Sequence, residues 1–315
     1  MNIGLGTAAI GRPQYINIKS PVTEAKFDLE TFKSNGRRLL DHAFEKGIRY
    51  YDTAPGYGLA EALLIDWLSN KEARDIEIAT KWGYTYVANF QTNATQHEVK
   101  EHTLAKLNEQ WEQSKKLLPF LSTYQIHSAT FETSVLKNEA VLNRLAELKA
   151  THGLKIGIST TGSNQSEVLK TALEVEIETQ LLFDAFQVTY NILDQSIAPI
   201  LKDSIVEGKR FIIKEALANG RIFPNKTYEH YQSMYNYLQN LSQKYEVGID
   251  AIALRFCQDS IHPFKVLSGA SEKQHLLENL QMTQFELQEE EIQLLHKFQV
   301  SPDSYWKERS ALSWN

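Results

Sequence analysis

Eight short apolar runs, strung along the whole chain with a helix-length segment after each, constrain this sequence more than anything else in it. They are Ile3–Thr7, Ile48–Ala54, Ile76–Lys81, Leu121–His127, Leu154–Thr160, Ala185–Asn191, Arg210–Ala216 and Phe264–Ala270. Each is rich in β-branched or aromatic residues and too short for a helix, which favours a buried parallel strand. Amphipathic segments fill the gaps. Phe32–Lys46 sets Leu39, Leu40, Ala43 and Phe44 on one face and stops at Gly47, and Val141–His152 does the same with Val141, Leu142, Leu145 and Leu148 before Gly153. Glu98–Leu118, Tyr228–Tyr245 and Glu289–Phe298 continue the pattern. Alternation of this kind predicts an α/β chain, and the count of eight strands with eight helices favours a closed (β/α)8 TIM barrel over an open doubly wound sheet. No linker rich in Pro, Gly or Ser divides the 315 residues, so residues 1–315 read as a single domain. Two stretches resist assignment: Gly11–Glu30, an extended loop, and Val300–Asn315, a tail with little helical periodicity that reads as a C-terminal loop over the carboxyl face. Long loops in compact domains tend to be functional.

Composition removes several classes. With 33 Lys+Arg against 39 Asp+Glu the formal charge is −6, the opposite of a nucleic-acid binder's basic footprint. One cysteine, Cys257, allows no intrachain disulfide. No stretch approaches membrane-helix length, and the opening residues lack a signal-peptide pattern, so a cytoplasmic protein is expected. Gly4-x-Gly6-x-x-Ala9 matches the dinucleotide fingerprint as a string but lacks the strand–helix–strand unit around it. His97 and His102 lie about 140° apart on the helix expected there and read as solvated surface residues, and no metal-ligand spacing occurs elsewhere. The sequons at Asn93, Asn164, Asn225 and Asn240 are read as chance matches.

In a barrel of this kind, polar residues at the carboxyl ends of strands face the active site. The second strand ends in Asp52-Thr53-Ala54-Pro55-Gly56-Tyr57-Gly58, the third in Thr80-Lys81-Trp82-Gly83 and the fourth in Gln125-Ile126-His127-Ser128. An Asp, a Tyr, a Lys and a His therefore stand at neighbouring strand ends with apolar residues behind them.

This pattern resembles the aldo-keto reductase superfamily, over nearly the whole chain, with Glu61 as the usual continuation after Tyr57-Gly58. The resemblance implies hydride transfer between a nicotinamide dinucleotide and a carbonyl/alcohol pair. Tyr57 would act as general acid, Lys81 would lower its pKa from the ordinary value near 10, Asp52 would balance Lys81, and His127 would orient the carbonyl oxygen. Two other readings stand beside it: an NAD-linked sugar or alcohol dehydrogenase working oxidatively, and a cofactor-binding regulatory subunit without turnover.

The same resemblance implies the cofactor residues. Thr7 lies at the first strand end. Ser159 and Gln187 would meet the carboxamide, with Thr160 where relatives carry an asparagine and with Asn191 completing the sixth strand's pattern. Lys214 replaces a tyrosine of many relatives and reads equally as a cofactor-facing residue or as the partner of Glu215; Ala216 and Leu217 follow it. In the eighth unit, Gly269, Ser271, Lys273 and His275 would hold the adenosine phosphate, at backbone N–H groups opening a helix, and Glu278 and Asn279 would bind adenine. NADP is the expected cofactor from family habit, with NAD possible because Gly269 and His275 replace a lysine and an arginine. Trp82, Trp306 and Trp314, with Arg309, are candidates for a pocket that takes a small carbonyl compound or a sugar. No nucleic-acid or membrane partner is expected, and the oligomeric state is left open.

Overall fold

The computed structural model describes residues 1–18, 27–72, 75–91, 94–203 and 206–314. Eight parallel strands close into a barrel: β1 (Ile3–Gly6), β2 (Tyr50–Asp52), β3 (Glu77–Trp82), β4 (Leu121–Ala129), β5 (Lys155–Thr160), β6 (Ala185–Thr189), β7 (Arg210–Lys214) and β8 (Lys265–Ser268). Each pairs with its neighbours in sequence, and β1 closes the ring by lying between β2 (Leu5 beside Tyr51) and β8 (Ile3 beside Val266). All eight expected runs are barrel strands.

Side chains alternate across a strand, and that period of two builds the site. Tyr50, Ala79, Ala185, Ile212 and Leu267 form one apolar cluster, contributed by β2, β3, β6, β7 and β8. Two residues further along the same strands come Asp52, Lys81, Gln187, Lys214 and Gly269. An oily layer thus supports a polar one at the carboxyl ends. The alternate residues of the strands, with the inner faces of the helices, make the larger core between barrel and outer ring.

The ring comprises α1 (Leu29–Glu45), α2 (Ala60–Leu68), α3 (Leu104–Ser114), α4 (Glu139–His152), α5 (Gln165–Leu173), α6 (Gln232–Tyr245), α7 (Ile249–Ile261), α8 (Lys273–Leu280), α9 (Glu289–His296) and α10 (Pro302–Ser310). The strict strand–helix alternation expected from the sequence fails at two neighbouring links. Among the described residues, β6 and β7 are joined through a 3-10 turn, Ile200–Lys202, rather than an α-helix, whereas the long β7–β8 link holds both α6 and α7. Glu98–Leu118 is not one helix either: Glu98–Lys100 pairs antiparallel with Tyr84–Tyr86, and α3 begins only after Thr103, whose Oγ1 accepts from Lys106 N (3.1 Å). The tail expected to be irregular contains α10, started by Ser301 as N-cap and Pro302 at the first turn. Its buried residues are the adjacent pair Tyr305 and Trp306, too narrow a stripe to show as periodicity. Part of the expected loop Gly11–Glu30, residues 19–26, lies outside the described residues, as do Asn93 and Asn315. Among the described residues no helix is long and apolar enough to cross a membrane, and none of their His, Cys, Asp and Glu side chains group as a metal site.

Candidate active site

Asp52 ends β2, and the 3-10 turn Pro55–Tyr57 carries Tyr57 over the strand ends. Two glycines let this turn sit against the segment after β1. A Cβ on Gly11 would lie 2.0 Å from the Tyr57 carbonyl oxygen, and one on Gly58, at φ +64°, would lie 2.4 Å from the Gly11 carbonyl oxygen. Leu59 N donates to that same carbonyl (2.9 Å), so the close approach is itself hydrogen-bonded.

The four residues singled out in the sequence come together. Lys81, fully buried, donates from Nζ to Asp52 Oδ1 (2.5 Å) and to the Thr53 carbonyl (3.1 Å). Gln187 Nε2 donates to the other carboxylate oxygen, Asp52 Oδ2 (2.7 Å), with Gln125 Nε2 at 3.5 Å. The Lys81 ammonium stands 5.0 Å from the centre of the Tyr57 ring. The Tyr57 hydroxyl and His127 Nε2 are 3.5 Å apart, with the two rings edge to face.

Burial sets the protonation states. It pushes the Tyr57 phenol well above 10, with the Asp52 carboxylate adding to the rise and Arg12 opposing it. Lys81, expected to lower this pKa, is itself paired with Asp52 at 2.5 Å; Arg12 is the leading lowering influence, and burial outweighs it. Burial, then Lys81 and Arg12, hold His127 well below 6.5, so its ring is neutral. His102, whose Nε2 meets the His127 carbonyl (2.9 Å), is pushed down to about 4, by burial first and Lys100 second.

These two rings make folding sensitive to acid. Both are neutral in the folded chain and take up a proton near pH 6.5 once unfolded. Below that pH the unfolded state binds more protons, so the stability is complete above about pH 6.5 and falls as pH drops. The slope reaches about 1.4 kcal/mol per pH unit for each ring. Urea midpoints at about pH 7.5 and about pH 5.5 should differ accordingly, with the lower midpoint in acid.

A cavity of about 860 Å³ opens from Asp52 and Tyr57, passes Gln187, Lys214, Ala216 and Leu217, and runs past Ser268–Ser271 to His275, Glu278 and Asn279. Its near wall includes Gly6, Ala8 and Tyr15, and a Cβ built on Gly269 meets nothing within 4 Å. It is a long channel over the strand ends with small residues along its floor.

The Aldo/keto reductase family model matches residues 2–299. The chain belongs to the aldo/keto reductase family. A pyridoxal 4-dehydrogenase from Microbacterium luteolum is 26% identical over 226 residues, 61% of this chain and 60% of that protein, so the match spans about three fifths of the dehydrogenase's length. Among solved structures, an aldo-keto reductase from Bacillus halodurans in its holo form superposes with a TM-score of 0.68 at 19% identity, covering 95% of this chain and 92% of that one. The glycerol dehydrogenase of Gluconobacter oxydans does so with a TM-score of 0.69 at 20% identity, covering 94% and 90%. At such identities the likeness speaks for the fold.

Within this aldo-keto reductase the expected cofactor residues divide. Gln187, Lys214, Ala216, Leu217, Gly269, Ser271, His275, Glu278 and Asn279 line the channel. Gln187 is nonetheless engaged with Asp52, and Asn279 is held by Ser268 Oγ, which donates to its Oδ1 (2.7 Å), and by its own donation to Asp250 Oδ2 (2.6 Å). Lys214 satisfies both readings made of it: it faces the channel, donating to Thr189 Oγ1 (2.7 Å), and lies 3.9 Å from Glu215. Burial lowers it to about 8. Thr7, Ser159, Thr160 and Lys273 are not among the described lining residues. Thr7 donates to the Asp52 carbonyl (2.9 Å), Ser159 Oγ accepts from Ser128 N (2.7 Å), Thr160 donates to Gln165 (3.2 Å), and Lys273 is exposed on α8.

The three tryptophans expected at a pocket are likewise not among the described lining residues. Trp82 is fully buried on the outward side of β3 against His102, because it follows the inward Lys81 and strand alternation turns it away. Trp306 packs under α10 and donates from Nε1 to Asp194 (3.1 Å), while Trp314 stacks on His97 at 4.3 Å. His97 and His102 are thus neither helical nor free surface residues. Tail and first loop meet instead: Ile16 forms a bridge with Trp314, and Asn219 Nδ2 donates to the Ile16 carbonyl (3.0 Å). Sequence reading missed Tyr15 on the channel wall, Gln125 beneath Asp52, and Tyr84, whose ring lies 4.7 Å from His127. Of these only Gln125 carried a signal, being two residues before His127 on an inward-facing strand position.

Proposed function

We propose that this enzyme interconverts a small carbonyl compound and its alcohol, with Tyr57 as acid and base. The observation that carries the reading is a buried Tyr57 hydroxyl 3.5 Å from His127 Nε2, on the wall of a cavity of about 860 Å³. The nicotinamide, when bound, supplies or accepts the hydride at the substrate carbon. The remaining work falls to the chain. Tyr57 gives its proton to the oxygen as negative charge builds there, and takes it back in the reverse direction. His127 Nε2, 3.5 Å from that hydroxyl, donates to the same oxygen and fixes its position. Lys81 and Asp52 hold the floor beneath Tyr57.

Residues along the channel fit the extended cofactor, with Ala216, Leu217 and Gly269 leaving room and His275, Glu278 and Asn279 at the far end. Family habit puts NADP first. The far end, however, is lined by His275, Glu278 and Asp250, with no Lys or Arg among the described lining residues there. Such a lining suits the ribose hydroxyls of NAD better than a 2′-phosphate. The oxidative reading, an NAD-linked alcohol or sugar dehydrogenase, gains from this and from the pyridoxal 4-dehydrogenase likeness.

Absorbance at 340 nm decides. NADH and NADPH are each run with glyceraldehyde, pyridoxal and benzaldehyde, and NAD and NADP with glycerol, pyridoxal and benzyl alcohol. Turnover of one panel with one cofactor is the expected result. Tight dinucleotide binding without turnover on either panel would overturn the enzymatic reading in favour of a regulatory one.

A further inference from the structure

Arg12 follows the glycine that seats Tyr57 and is 4% exposed. Its Nη1 donates to the Gly56 carbonyl (2.9 Å), one residue from Tyr57, and to Glu98 Oε2 (2.7 Å) on the Tyr84–Lys100 hairpin. The guanidinium carbon stands 5.3 Å from the centre of the Tyr57 ring, 5.4 Å from that of Tyr15 and 4.7 Å from that of Trp314. Its Nε is buried and finds no partner among the described residues, so rings enclose it on that side.

Two cations therefore flank Tyr57 at nearly equal distance, Lys81 at 5.0 Å and Arg12 at 5.3 Å, but their counter-charges differ. The counter-ion of Lys81 is Asp52, 2% exposed and inside the barrel, where its field reaches the phenol in full. The counter-ion of Arg12 is Glu98, 25% exposed, whose field solvent weakens. Glu215 adds a further negative charge from the β7 side, while His127 and Tyr15 face the phenol uncharged. Among the described residues named here, Arg12 is thus the neighbour whose charge reaches Tyr57 without an equally buried opposite.

We infer that Arg12 is a positioning residue for Tyr57, holding its turn and stabilising its phenolate, with Glu98 setting the strength of that effect. The inference rests on the proposed acid–base role of Tyr57. In alcohol oxidation the phenolate is the base, so Arg12 lowers the pH at which that base forms, and removing it moves that pH upward.

The test is the pH profile of kcat/KM for alcohol oxidation, with whichever of glycerol, pyridoxal or benzyl alcohol is turned over fastest. Arg12→Met should shift the ionisation upward by about one pH unit or more, and Arg12→Lys should restore most of it. Glu98→Gln, which removes the opposing carboxylate, should shift it downward. Opposite signs are the discriminating result, because both changes break the same ion pair and a purely structural role would affect both alike. Unmoved profiles, or shifts of the same sign, would overturn the inference, and Glu98→Gln decides alone if Arg12→Met does not fold. A Tyr57→Phe control separates the two levels: wild-type turnover there overturns the tyrosine reading itself.

Discussion

Tyr57→Phe is expected to lower turnover about 10²- to 10⁴-fold while leaving dinucleotide affinity within about twofold. Only one oxygen is removed. The ring keeps its place over Lys81 and against His127, and among the described residues the hydroxyl's one neighbour in hydrogen-bond range is His127 Nε2 at 3.5 Å, so little stability is lost. What goes is the proton needed by the substrate oxygen. Steady-state rates at 340 nm, paired with cofactor fluorescence titration, separate the two quantities. A variant that turns over like the parent would move the acid to another group, and His127, neutral and buried, is poorly placed to supply a proton unaided.

Asp52→Ala is expected to cost about 3–5 kcal/mol of stability as well as activity. Among the described residues it leaves the fully buried Lys81 ammonium with the Thr53 carbonyl alone, and strips Gln187 of its acceptor. Breaking one half of a buried pair is worse than removing both, since the survivor's desolvation is no longer offset. The double variant Asp52→Ala/Lys81→Met should therefore be more stable than Asp52→Ala alone, and equally inactive. Urea unfolding of the three proteins measures this coupling directly. A double variant no more stable than the single one would show that the pair's worth lies in the hydrogen bonds to Gln187 and Thr53 rather than in its charge.

The sequence carried the barrel because both periodicities were present: buried runs for the strands, and three- to four-residue spacing for helices such as Glu139–His152. It carried the central residues because Asp52, Lys81 and His127 sit at inward positions of adjacent strands, and Tyr57 on the turn that follows the first of them. Other features were hidden by the same rules. Trp82 looked like a pocket residue by position along the chain, yet one step of strand alternation points it outward. Thr7 and Ser159 ended strands as expected but are occupied in holding neighbouring backbone. Arg12 lay in a loop without periodicity, and nothing local announces that its partners are residues 56 and 98. Contacts between loops distant in sequence leave no period to read.

Glu215 links the channel wall to the far end of the chain. It holds a left-handed backbone conformation, φ +56°, and Arg309 on α10 grips its carboxylate through Nε (3.1 Å) and Nη2 (2.6 Å). Burial opposes ionisation there, but Arg309 and Lys214 prevail and hold the carboxyl at about 2. Local unfolding of α10 therefore releases a wall residue, and whatever fills the channel must work against that opening. A cofactor at about 100 times its dissociation constant would raise the free energy of such opening by up to about 2.7 kcal/mol. Amide protons of residues 302–310 would then exchange more slowly in the loaded enzyme, making a helix some ninety residues on from Glu215 a gauge of occupancy.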